Sequence, residues 1–150
     1  MLEECPICFE EREMRTLHCG HKVCYACWPR VPRSRCPMCR VKVFPPGACA
    51  EAARAGDLLT LRKIYAANNK DPGISLIIPL AACGGNISIL KWALRKNLPE
   101  RGYIVPNAMK NGHFKVIDWV LKKGFPLEDV TKSSDDIVAI QAYRLAKRTI

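Results

Sequence analysis

The side chains most able to do chemistry are eight metal-type donors confined to the first 40 positions. They run Cys5-x2-Cys8, Cys19-x-His21, Cys24-x2-Cys27 and Cys36-x2-Cys39. A two-residue gap lets a tight turn direct two thiolates at one tetrahedral ion, so each pair supplies half a site and four pairs make two sites. Thiolate with imidazole is the donor set of structural zinc, and two Zn2+ ions are the expected cofactors. Seven of the nine cysteines fall in this stretch. Such crowding, with an odd total, argues for metal in a reducing compartment and against a disulfide framework. Spacing alone permits either sequential or interleaved assignment of the pairs.

The segments CPIC, HCGHKVCYAC and CPMCR, spanning residues 5–40, resemble the RING finger. Histidine is the fourth ligand here, whereas it comes fifth in PHD fingers and third in LIM domains. The resemblance implies a cross-brace, with Cys5, Cys8, Cys24 and Cys27 on one zinc and Cys19, His21, Cys36 and Cys39 on the other. It also implies a RING-type ubiquitin transferase. Such a module binds a ubiquitin-charged conjugating enzyme and restricts the thioester to a reactive geometry, with no covalent intermediate and no catalytic nucleophile. Ile7 and Pro37, each inside a Cys-x2-Cys pair, match apolar positions that contact the conjugating enzyme. Val31, four residues past Cys27, matches a third contact in families with a longer helix, and Trp28 competes for that role. Pro29 and Pro32 must shorten that helix, which leaves Trp28 either in a small core or on the docking surface. Arg40, directly after the last ligand, matches the linchpin that hydrogen-bonds both ubiquitin and the conjugating enzyme, a task suited to a planar fork of donors.

The elements that must position these residues divide the chain into two kinds of sequence. Residues 1–44 are rich in cysteine and proline and lack a helical stretch of three turns, so metal is expected to stabilise them. Pro45-Pro46-Gly47 then forms an extended, semi-rigid linker over 45–47. From 48 to 150 the chain repeats itself. AARAGDLLTLRKIY, AACGGNISILKWAL and AMKNGHFKVIDWVL align on Gly56, Gly85 and Gly112, spaced 29 and 27 apart. Each reads as a small-residue helix, a glycine turn and an amphipathic helix. The apolar positions of the second helices are Leu58, Leu61 and Ile64, then Ile87, Leu90 and Leu94, then Phe114, Ile117 and Val120.

Trp92 and Trp119 occupy equivalent places and are expected to stack between repeats. SSDDIVAIQAYRLAKR reads as a C-terminal capping helix with Ser133 or Ser134 at its start, acids in its first turn and bases in its last. The paired helices resemble divergent ankyrin repeats of the kind found in large DNA viruses. A plain helical-hairpin bundle is the alternative. The expected fold is therefore a small zinc-bound RING cross-brace followed by an all-α ankyrin-like array.

The length of 150 residues excludes a large multidomain enzyme, and no 18-residue apolar run exists to span a membrane. Met1-Leu2 leaves no room for a signal peptide, so an intracellular protein is expected, in cytoplasm or nucleus and in a host cell if viral. Lys and Arg number 24 against 14 Asp and Glu, a formal +10 that falls by three once seven thiolates and two dications are counted. Residues 48–150 alone carry 16 basic against nine acidic side chains. Lys91, Arg95, Lys96, Lys115, Lys122, Lys123, Lys147 and Arg148 line the polar sides of the helices, and an acidic protein substrate is expected to bind this half.

The remaining candidates are weaker. Cys49 and Cys83 are expected to be buried, inert thiols. His113 is expected in a loop hydrogen bond, and His18 does not fit the ligand register. The expected partners are thus a conjugating enzyme, ubiquitin and a protein substrate. Two other readings stand beside the ligase: a non-catalytic zinc-stabilised adaptor, and a basic nucleic-acid binder, which no recognition-helix or base-stacking motif supports.

Overall fold

The computed structural model describes residues 1–17, 19–31, 35–41, 44, 47–67 and 71–149. His18, Pro32, Pro45 and Pro46, on which expectations were placed above, lie outside the described residues.

The zinc-type half is built from two minimal hairpins. Strands β1 (Glu3–Glu4) and β2 (Glu11–Arg12) pair antiparallel, as do β3 (Met14–Thr16) and β4 (Lys22–Cys24), with Arg15 opposite Val23. A single 3-10 turn, Trp28–Arg30, follows with Pro29 at its start, and Val31 leaves it in extended conformation. Pro29 is accommodated at that position because the N–H it lacks would have no intrahelical acceptor. Among the described residues, the buried apolar side chains here are Leu17, Val23, Trp28, Val31 and Cys36 in one cluster and the ligand-type Cys5, Cys24 and Cys27 in another, too little to order so short a stretch without cross-links.

The second half consists of paired helices: α1 (Ala48–Ala55) with α2 (Leu58–Ala67), α3 (Ile77–Cys83) with α4 (Ile87–Arg95), and α5 (Ile104–Lys110) with α6 (Phe114–Lys123). A short α7 (Leu127–Val130) and the longer α8 (Ser134–Arg148) follow. Helix α1 packs on α3 and α3 on α5, each carries its own second helix, and α8 packs on α5. Ala52, Ala53, Ala81, Ala82 and Ala108 are all buried, and their small side chains let the first helices approach closely. From the second helices, Leu61, Ile64, Leu90, Ile117 and Val120 complete one continuous core. Phe114 departs from the expected periodicity: it is exposed, because it stacks on Tyr143 of α8 at 5.4 Å instead of turning inward.

Glycine turns register these pairs. Gly56 and Gly85 have φ of +77° and +70°. A Cβ at Gly56 would meet Asn86 Oδ1 at 2.7 Å, and one at Gly85 would meet His113 Nδ1 at 2.7 Å. The residue after each turn glycine therefore roofs the turn of the preceding pair, and Asn86 Nδ2 also donates to the Ala53 carbonyl at 3.0 Å.

Pro79 and Pro106 sit in the first turns of α3 and α5, where helix N–H groups have no intrahelical acceptor. Trp92 packs edge-on against Tyr65 of the preceding pair, at 5.4 Å, as expected for stacking between units. Trp119 differs: its ring partner is Phe125, just beyond its own helix, at 5.6 Å. Helix α8 begins with a capping box in which Ser133 Oγ accepts from the Asp136 amide and Asp136 accepts from the Ser133 amide. Among the described residues, no helix is long and apolar enough to cross a membrane.

The halves touch directly. Arg15 Nη1 donates to Asp57 Oδ2 at 2.8 Å, and Asp57 also caps α2 by accepting from the Thr60 amide and hydroxyl. Lys63 Nζ donates to the Val31 carbonyl at 2.8 Å. The Gly47 amide donates to Asp71 Oδ2 at 3.2 Å, which ties the start of α1 to the turn before α3.

Candidate metal centre

Interleaving of the hairpins gathers the ligands. The β1–β2 turn carries Cys5 and Cys8, and the end of β4 brings Cys24 beside them, its amide donating to Cys5 Sγ at 3.4 Å. The next turn adds Cys27, whose amide donates to Cys24 Sγ at 3.4 Å. The β3–β4 turn holds Cys19 and His21, which meet Cys36 and Cys39 from further along the chain. In each quartet the ligating atoms lie within 4.8 Å of one another. The pairs thus interleave as first with third and second with fourth, which excludes sequential pairing.

The spacing within the quartets suits tetrahedral zinc. Bonds of about 2.3 Å to sulfur imply edges of about 3.8 Å, and replacing one sulfur by an imidazole nitrogen shortens the edge to about 3.6 Å. Cys8 Sγ and Cys24 Sγ stand 3.8 Å apart, and Cys19 Sγ stands 3.5 Å from His21 Nδ1. All nine cysteines are free thiols.

Electrostatics point the same way. Burial works to raise the Cys5 pKa, but amides of Cys24, Cys8 and Ile7 outweigh it and hold the thiol at about 6. Cys27 is instead pushed up to about 12, by burial and by the sulfurs of Cys24, Cys8 and Cys5 around it. Four such thiols conflict in the absence of a cation, and a dication lets all four be thiolates. The two clusters fit two zinc ions in a RING cross-brace.

The first and last Cys-x2-Cys turns share one backbone design. Phe9 N–H donates to the Cys5 carbonyl and Cys5 N–H to the Glu10 carbonyl; Arg40 N–H donates to the Cys36 carbonyl and Cys36 N–H to the Val41 carbonyl. The residue after the second cysteine must then turn left-handed, with φ of +58° at Phe9 and +60° at Arg40. Glycine would adopt this conformation without strain. The Arg40 carbonyl is held by Arg35 Nη1 at 3.1 Å, and the Arg40 side chain is exposed.

The expected docking residues divide. Ile7 is 38% exposed and Pro37 is exposed on its turn. Trp28, for which core and surface were both open, lies in the core at 2% exposed, and Val31, expected as a surface contact, is instead 5% exposed. The single 3-10 turn directs both into the small core. Phe44 packs edge-on against Trp28 at 5.7 Å, while the Arg15 guanidinium and Lys63 ammonium lie 4.5 and 5.0 Å from its ring centre. Sequence reasoning passed over Phe9, 74% exposed, and Met38, also exposed on its turn. The repeated Cys-x2-Cys-x pattern, which puts Phe9 in register with Arg40, was the available signal.

Outside the clusters, Cys49 is buried and its thiol is pushed up to about 12 by burial, with the Asp71 carboxylate adding to the effect. That is the inert state expected for it. Cys83 is only half-buried. Lys147 is engaged by Asp118 at 2.6 Å, where the Tyr143 hydroxyl also donates.

Similarity to known proteins is confined to residues 1–44 of the 150. No curated protein and no solved structure matches the chain. Residues 1–44 match the family described as zinc finger, C3HC4 type (RING finger), in agreement with the interleaved Cys and His clusters.

Proposed function

We propose that the protein is a RING-type ubiquitin ligase whose zinc module docks a charged conjugating enzyme, while residues 48–150 recruit a protein substrate as a divergent ankyrin-like array. The observation that carries this reading is Arg40. It is an exposed arginine at a left-handed position that favours glycine, directly after the last zinc-type ligand. A side chain kept where the backbone resists it points to a role for that side chain. Its fork of donors suits simultaneous contact with ubiquitin and the conjugating enzyme. Ile7 and Pro37 supply apolar docking contacts on the exposed turns. No group attacks ubiquitin; the gain comes from orienting the thioester.

The test is single-turnover discharge of ubiquitin from charged conjugating enzymes. Ile7→Ala is expected to weaken docking several-fold. Arg40→Ala is expected to leave docking intact and slow discharge at least ten-fold. Equal discharge by Arg40→Ala and wild type would contradict the ligase reading. A specific observation favours the binding-only adaptor as the second reading: Trp28 and Val31 are buried, which removes one of the family's contact points.

A further inference from the structure

Between α2 and α4 lies an open recess of about 910 Å³, within the size range of roughly 300–1,000 Å³ typical of ligand sites. Arg62 and Tyr65 line it from α2, and Trp92, Arg95 and Lys96 from α4 and its end. All three cations are exposed, and none takes part in an ion pair among the described residues. Elsewhere Arg15, Lys132 and Lys147 are each answered by a carboxylate, whereas Lys122 and Lys123 on α6, like the recess cations, form no ion pair among the described residues. Among the described residues that line it, the recess thus gathers positive charge and has no acidic side chain.

We infer that this recess binds an acidic segment of a partner protein, with carboxylates reaching Arg62 on α2 and Arg95 and Lys96 at the end of α4. Guanidinium forks receive carboxylates in bidentate fashion, which suits Arg62 and Arg95. Nucleic acid fits less well. Binding to single strands uses open aromatic faces, yet Trp92 is 5% exposed, and Lys96 Nζ already lies 5.9 Å over the Tyr65 ring. This inference rests on the reading of residues 48–150 as the partner-binding half, and it assigns that binding to one recess and one chemistry.

The experiment uses the full zinc-loaded chain and a fluorescent ten-residue poly-glutamate peptide, followed by anisotropy at low and at physiological salt. The paired reversal Arg62→Glu with Arg95→Glu is expected to weaken binding at least ten-fold. Lys122→Glu with Lys123→Glu, the same charge change on α6, is expected to weaken it less than three-fold. Circular dichroism of both variants checks that exposed substitutions leave the helices folded. Equal losses from the two reversals would overturn the recess and leave only general charge attraction. Tighter binding of an oligothymidylate, lost in the recess variant, would overturn the acidic-peptide assignment. Peptide binding needs no ubiquitin transfer, so the two readings fail separately: a chain that binds the peptide but discharges no ubiquitin sinks the ligase, and the converse sinks the recess.

Discussion

On the proposed function, Arg40 separates stability from function at a single position. A left-handed residue with a Cβ costs about 1–2 kcal/mol relative to glycine, and the extra freedom of an unfolded glycine returns about 0.5–1 kcal/mol of that. Arg40→Gly should therefore stabilise the zinc module by about 0–1.5 kcal/mol while abolishing its stimulation of ubiquitin discharge. Thermal denaturation of the loaded protein, run beside the discharge assay, checks both halves of that statement. Clear destabilisation would show that the side chain serves the fold. The ligands were legible in the sequence because zinc demands a fixed donor type at fixed spacing. For Trp28 the sequence left core and surface both open, because Lys63, which lies over its ring, comes from a distance in sequence that periodicity does not reveal.

The paired helices were legible for a related reason: the turn glycines punctuate two runs with helical spacing of apolar residues. One-turn elements such as α7 and the 3-10 turns at Ile74–Leu76 and Arg101–Tyr103 are too short to carry a period, and they emerged only from the structure. Contact between successive pairs makes its own prediction. Gly85 and Gly112 have similar φ, +70° and +72°, but a Cβ at Gly85 meets His113 whereas one at Gly112 meets open space. Gly112→Ala should cost only the backbone term, about 1 kcal/mol, and Gly85→Ala about 2 kcal/mol or more. Urea denaturation measures the difference. His113→Ala in the Gly85→Ala background should recover part of it, and equal costs for the two glycines would argue against His113 as the roof of that turn.

At the scale of the molecule, the halves obtain their order from different sources. The helical core of α1 to α8 contains none of the eight zinc-type ligands, whereas the hairpins of the first half have almost no other core. Native mass spectrometry should find two zinc ions per chain, and chelation should collapse the first half while most helical circular dichroism persists. Trp28 should then become solvent-exposed and its emission shift to the red. Loss of the helical signal together with zinc would contradict this division. Because Phe44, Lys63 and Asp57 join the halves, a modest fall in the melting temperature of the helices on chelation is also expected. The claim that binds these scales together is that the zinc module presents a charged conjugating enzyme to whatever the helices hold. It is tested most directly by single-turnover discharge across a broad panel of conjugating enzymes. Stimulation by the wild-type chain with at least one enzyme, lost in Arg40→Ala with docking retained, is the expected result; no stimulation by folded, two-zinc protein with any enzyme would contradict the ligase and leave the adaptor.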